Sequence, residues 1–285
     1  MKVLLTGSNG QLGRELTRQL QKKKIDYVGY DIPEFDITDK DKMVAIIAKE
    51  RPTVIINCGA LTNVDGCETQ KELAMAINAA GPKYLAEIAC DQDIVLVQVS
   101  TDYVFDGAGI TIDGALRPYL ETDPVAPKTV YGESKAAGEK AVSETVPKYF
   151  IVRTAWLYGD GNNFVKTMLE LASKHPKLTV VNDQVGSPTS TVDLAAAIID
   201  LIQTDHYGYY HGTCEGQCSW YDFAVEIFRL SGIDIPVEPV TSEQFVRPAP
   251  RPKYSVLENK ALNDLKMNHF RPWQASLVEY LENLK

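Results

Sequence analysis

The chain has 285 residues, 45% of them hydrophobic, enough to bury a sizeable core in one large α/β unit or two lobes. A formal net charge of −9 and a pI near 5.1 argue against nucleic acid or an anionic membrane surface as the main partner. No apolar run approaches the ~20 residues of a membrane span, and the start, Met1 to Thr6, reads as a first strand rather than a signal peptide.

Lys2 to Thr6 is an apolar run that leads into Gly7-Ser-Asn-Gly10-Gln-Leu-Gly13, with a helix expected from Arg14. In a strand–turn–helix context these glycines point to a dinucleotide. Gly7 permits the tight turn, Gly10 lets the backbone approach a pyrophosphate, and Gly13 lets the helix pack close to the strand. The helix start offers N–H groups to phosphate. Ile25 to Tyr30 reads as the second strand and ends at Asp31. A carboxylate there accepts hydrogen bonds from an adenosine ribose and disfavours a 2′-phosphate. That leans toward NADH, although Arg14 could moderate it, so NADPH stays open. Asp36 could approach the adenine, while Asp39 reads as the cap of a helix over 39–50.

Pro52 to Asn57 reads as a buried strand, followed by Cys58 to Asp65, where small residues would let a cofactor lie against the backbone and Thr62 and Val64 could face a substrate. A helix is expected from Leu73 to Cys90. Val95 to Val99 then reads as a strand buried on both faces. It changes abruptly to Ser100, Thr101 and Asp102, and ligands bind beyond the carboxyl ends of strands in an open parallel sheet. Gly107 to Lys128 reads as a loop over the site. Tyr131 and Lys135 stand one turn apart at the start of a helix, so they share a face.

Tyr149 to Arg153 reads as a strand and runs into Thr154, Trp156 and Tyr158. Gly161 to Phe164 opens a helix to Ser173, and then follow a strand from Leu178 to Asn182, a helix from Val192 to Ile202 and a short strand from Tyr207 to His211. The remainder mixes short helices with Pro-rich turns. Repeated strand–helix alternation gives an α/β fold, a Rossmann-like doubly wound parallel sheet with a smaller C-terminal substrate lobe. The expected division is 1–152 with about 186–212 for the dinucleotide lobe, and about 153–185 with 213–285 for the substrate lobe. The cysteines number five, cannot all pair internally and lack zinc-ligand spacing, so they read as free thiols in a cytoplasmic protein.

Taken together, the glycines, the hydroxylated strand end and Tyr131/Lys135 resemble the extended short-chain dehydrogenase/reductase superfamily. Ser100 to Gly107 narrows this to the dTDP-4-dehydrorhamnose reductase family. Asn57 to Asp65, Arg153 to Trp156, Asn182 to Thr189 and Arg251 to Ser255 are further matching pieces. The resemblance implies reduction of the C4 ketone of dTDP-4-dehydro-L-rhamnose by NAD(P)H, the last step in making dTDP-L-rhamnose for surface polysaccharide. It implies Tyr131, Lys135 and Thr101 as catalytic residues, with Lys135 lowering the Tyr131 pKa and holding the nicotinamide ribose. It assigns Gln11, Leu12, Ile37, Ala60, Leu61 and Val99 to the cofactor. Val64, Asp102, Trp156, Asn163 and Gln184 go to the substrate, and Arg251 to its diphosphate.

Some members of the family form a magnesium-linked homodimer through carboxylates. Glu15 stands at one matching position, but Ser190-Thr-Val-Asp193 lacks the expected glutamate and no third carboxylate is evident near Lys285. No metal site is therefore expected, and a monomer or a differently built homodimer stays open. Two other readings compete. One is a nucleotide-sugar epimerase or dehydratase, although Asp102 is followed by Tyr103 rather than by glutamate. The other is a non-catalytic subunit similar to the regulatory subunit of methionine adenosyltransferase.

Overall fold

Along the first strand, β1 (Lys2–Thr6), side chains alternate between two dry faces: Val3 and Leu5 join one apolar cluster and Leu4 another, all with no exposed surface. A strand buried on both faces needs helices on both sides. The computed structural model describes residues 1–284; Lys285 lies outside the described residues. Five further strands join β1: β2 (Asp26–Tyr30), β3 (Val54–Asn57), β4 (Val95–Thr101), β5 (Tyr149–Thr154) and β6 (Gly208–His211). All pairings are parallel, and the order is β2-β1-β3-β4-β5-β6. The helices Gln11–Lys22 and Thr191–Leu201 cover the Val3/Leu5 face. Gly81–Asp91 and Val130–Thr145 cover the Leu4 face.

The order reverses at β1, with β2 on one side and β3 on the other. This is the switch point at which an open α/β sheet leaves a crevice beyond its carboxyl ends. The turns after β1 and β3 meet there: a Cβ on Gly7 would lie 2.8 Å from the Gly59 nitrogen. The described residues beyond β5 extend the same core. Strands Leu178–Val181 and Val237–Val240 pair in parallel, and helices Phe164–Lys174, Trp220–Ser231 and Trp273–Glu282 pack beside them.

Local departures from the expected elements have physical causes. The helix expected from Leu73 to Cys90 is interrupted by a π turn at Ala76–Ala80. Asn78 sits in that wide turn and bonds Leu61 and Ser134 through its amide. The expected loop 107–128 contains a hairpin, Ile110–Ile112 with Ala115–Arg117. Asp113 and Gly114 at its tip adopt φ values of 50° and 80°, the left-handed pair that a tight hairpin turn requires. Trp220–Ser231 is a full helix where short helices and turns were expected. Ser219 and Asp222 form a reciprocal cap at its start.

Candidate active site

The crevice opens into one cleft of about 1250 Å³, more than the ~300–1,000 Å³ of a pocket for one drug-sized ligand. At one end is the turn after β1. Gly7 has φ of +63°, and a Cβ on Gly13 would fall 2.1 Å from the Gly7 carbonyl oxygen. A side chain at either position would break the turn or fill the space against it. The residues fit a dinucleotide: Gly7, Gly10, Gln11, Leu12 and Gly13 line this end, facing Ala60 and Thr62 from the turn after β3. Asp31 lines it too. Its carboxylate accepts from the Asn9 N–H and from its neighbour Ile32, both at 2.9 Å, so it ties the end of β2 to the glycine turn.

Four residues expected at the cofactor or substrate stand off the lining. Asp36 turns back on itself: its Oδ1 accepts from the Thr38 N–H at 2.9 Å and the Thr38 hydroxyl at 2.7 Å. These bonds hold its carboxyl below the usual range. Asp39 caps the helix Lys40–Glu50, as expected. Ile37 is buried beneath the turn, against Gly59 and Gly81. Leu61 packs with the Tyr131 cluster while its backbone pairs with Asn78. Asn163 is spent as a helix cap: its Oδ1 accepts from Lys166, and its amide donates to Gly159 and Tyr280.

The centre of the cleft lies at the end of β4. Val99, Thr101 and Asp102 line it together with Tyr131 and Lys135. Thr129 caps the helix Val130–Thr145 with its side chain, which starts Tyr131 in the first turn and puts Lys135 one turn on. The Thr101 hydroxyl donates to Asp102 Oδ1 at 2.8 Å. Burial raises the Asp102 carboxyl to about 6, against the lowering by the Thr101 and Ser255 hydroxyls. Burial also raises the Tyr131 phenol, and the nearby Thr101 hydroxyl moderates this. The phenol is raised overall, not lowered as Lys135 was expected to do, and the Lys135 ammonium donates to the Val99 carbonyl at 2.6 Å. Burial lowers Lys135 to about 8, opposed by Glu139 and Cys58. Two more polar atoms of the cleft wall, Ser100 Oγ and Thr154 Oγ1, are buried without a hydrogen-bond partner.

On the far side, Val64, Trp156 and Gln184 line the cleft. Trp156 adopts φ of 47°, a left-handed backbone that costs a bulky residue about 1–3 kcal/mol. Two neighbours hold it there. Trp220 stacks on it at 3.5 Å with 5° between planes, and the bare face of Gly186 leaves room for the indole. The Gln184 amide donates to Ser242 at 2.8 Å, fastening the segment that follows. Arg251 also lines the cleft, but its guanidinium is bound by both Asp65 oxygens at 2.9 Å. The diphosphate role expected of it therefore meets a cation already paired.

Sequence reasoning missed Trp220, Phe245 and Arg247, which line the cleft from regions read as irregular. It also missed the buried pair beneath Lys135, where Arg153 donates to both Glu139 oxygens at 2.9 and 2.7 Å. Glu15, the one candidate carboxylate for a magnesium ion, does not fit a metal: Arg18 binds both its oxygens and Gln19 one of them. The five cysteines are free.

Comparison with known proteins agrees with this architecture. The family described as the RmlD substrate binding domain matches residues 1–285. The chain is 43% identical over 284 residues to the dTDP-4-dehydrorhamnose reductase of Streptomyces griseus, covering 97% of this chain and 91% of that protein. A crystal structure of a dTDP-4-dehydrorhamnose reductase from Clostridium acetobutylicum matches with a TM-score of 0.96 at 52% identity, covering 100% of this chain and 99% of that one. The Bacillus anthracis reductase, crystallised in complex with NADP, matches with a TM-score of 0.93 at 41% identity, covering 99% of each chain. The chain belongs to the dTDP-4-dehydrorhamnose reductase family.

Proposed function

We propose that the chain is an oxidoreductase that reduces the C4 ketone of dTDP-4-dehydro-L-rhamnose to dTDP-L-rhamnose with NAD(P)H. The observation that carries this is Tyr131 beside Thr101 at the carboxyl end of β4, with Lys135 one helical turn away, in the cleft that the glycine turn also lines. The names of the relatives and the NADP bound to the Bacillus anthracis protein support it.

When bound along Gly7 to Gly13, the nicotinamide dinucleotide supplies the hydride. Tyr131 donates its proton to the ketone oxygen as negative charge develops there. Burial keeps the phenol protonated until that moment. Thr101 rests with its one hydroxyl proton donated to Asp102 and turns that proton to the same oxygen when the ketone is in place. Lys135 holds the nicotinamide ribose from its seat on the Val99 carbonyl. Trp156, Val64 and Gln184 form the wall against the sugar nucleotide.

Asp31 favours NADH over NADPH, since a 2′-phosphate would meet a carboxylate already tied to the glycine turn. The dinucleotide lobe comprises 1–152 with about 186–212, and the substrate lobe about 153–185 with 213–285. The place of β6 and of the helix Thr191–Leu201 against the sheet supports this division. Among the described residues no helix is long and apolar enough to cross a membrane. The free thiols support a reducing, cytoplasmic setting. The test is coenzyme oxidation with dTDP-4-dehydro-L-rhamnose as substrate. Consumption of NAD(P)H matched by dTDP-L-rhamnose supports the reading, and consumption without that product rejects it.

A further inference from the structure

The cleft has few cations, and most are already engaged. Lys135 donates to the Val99 carbonyl. Lys177 is paired with Glu238 at 3.1 Å. Arg251 is bound by both oxygens of Asp65, and its Nη1 also donates to the Ala249 carbonyl. Arg247 differs. It lines the cleft, is half-exposed, and approaches Asp65 no closer than 3.9 Å, beyond hydrogen-bond reach. Its guanidinium lies 4.7 Å from the centre of the Phe245 ring, which also lines the cleft. Asp65 carries one negative charge against the two arginines beside it, so this three-residue cluster keeps a net positive charge, and Arg247 holds the guanidinium free of carboxylate hydrogen bonds.

Asp65 is also what places this segment. It lies on the helix Val64–Thr69, directly after the cleft residue Val64, and receives the Ala249 N–H at 3.1 Å as well as both Arg251 nitrogens. At the other end, Asp183 accepts from the Ser242 N–H and hydroxyl, and Gln184 donates to Ser242. The strap from Ser242 to Arg251 is thus fastened at both ends, with Phe245 and Arg247 between the fastenings.

We propose that Arg247 is the residue that binds the diphosphate of the sugar nucleotide, with Asp65 a positioning residue that neutralises Arg251 and fixes the strap carrying Arg247. The inference rests on the sugar-nucleotide reading above. A guanidinium donates in a planar fork that matches phosphate oxygens, and Arg247, which makes no hydrogen bond to Asp65, keeps its donors for that role.

The test is titration of dTDP, with thymidine as the uncharged probe, into the protein saturated with NADP+. Arg247→Met should weaken dTDP binding about tenfold or more, leave thymidine binding unchanged, and leave NADP+ affinity and melting temperature as in the unaltered protein. Arg247→Lys should recover part of the loss. Unchanged dTDP affinity in a folded Arg247→Met protein overturns the assignment while leaving the function intact. Failure of the unaltered protein to bind dTDP overturns the sugar-nucleotide reading and this assignment with it.

Discussion

The Lys135 ammonium donates to the carbonyl oxygen of Val99 at 2.6 Å, while Tyr131, one turn earlier on the same helix, lines the cleft together with Thr101. Lys135 is therefore fixed to the strand end that also carries Thr101. In the proposed reaction the lysine secures the cofactor side and Thr101 the substrate side.

This arrangement predicts a pH profile. The Asp102 carboxyl is raised to about 6, so it is ionised and accepts from Thr101 above that pH and protonates below it. Lys135 is lowered to about 8, so it is charged below that pH and loses its proton above it. The kcat/KM of the free enzyme, which reports free-enzyme ionisations, should be highest between these values and fall on both sides. Asp102→Asn should remove the acid limb and Lys135→Arg the alkaline one. A profile in Asp102→Asn identical to that of the unaltered protein would reject the assignment of the acid limb.

Replacing the proton donor separates chemistry from binding. Tyr131→Phe should lower kcat by about 10²–10⁴-fold and leave coenzyme affinity nearly unchanged, because the glycine turn and Lys135 remain. Turnover near that of the unaltered protein would remove Tyr131 as the acid.

Coenzyme choice should turn on Asp31. Asp31→Ala removes the acceptor for a ribose hydroxyl and also releases the Asn9 N–H, so both coenzymes should bind more weakly. NADH should lose more than NADPH, which gains from losing a negative charge beside its 2′-phosphate. Comparative titrations decide this, and a larger loss for NADPH would contradict it.

Stability depends on the ion pair beneath the site. Arg153 and Glu139 have side chains 4% and 3% exposed, and the guanidinium lies 5.0 Å from both the Phe105 and Tyr209 rings. Arg153→Met should leave a buried carboxylate unpaired and cost about 3–5 kcal/mol in denaturant unfolding. The double variant with Glu139→Leu should recover much of that. A loss below about 1 kcal/mol in the single variant would place the pair in solvent.

Local signals made most of the sheet legible. β1, β3 and β4 are apolar runs ending in the polar residues Thr6, Asn57 and Thr101, and strands buried on both faces leave that pattern. Tyr131 and Lys135 were legible because helical spacing places them together. Arg247, Trp220 and the Arg153–Glu139 pair were not, because their roles come from partners far along the chain: Asp65, Trp156 and Glu139. Asn163 and Asp36 carry bonds that sequence alone did not show: the Asn163 side chain caps a helix start and Asp36 accepts from Thr38. Asn and Asp commonly serve such local caps and turns.

The most direct test of the central claim follows the hydride itself. NADH or NADPH carrying deuterium at the transferring position of the nicotinamide should be incubated with dTDP-4-dehydro-L-rhamnose and the product examined by NMR. The account predicts deuterium at C4 of dTDP-L-rhamnose, with little formed by Tyr131→Phe. Product without deuterium at C4, or none from either coenzyme, would contradict it.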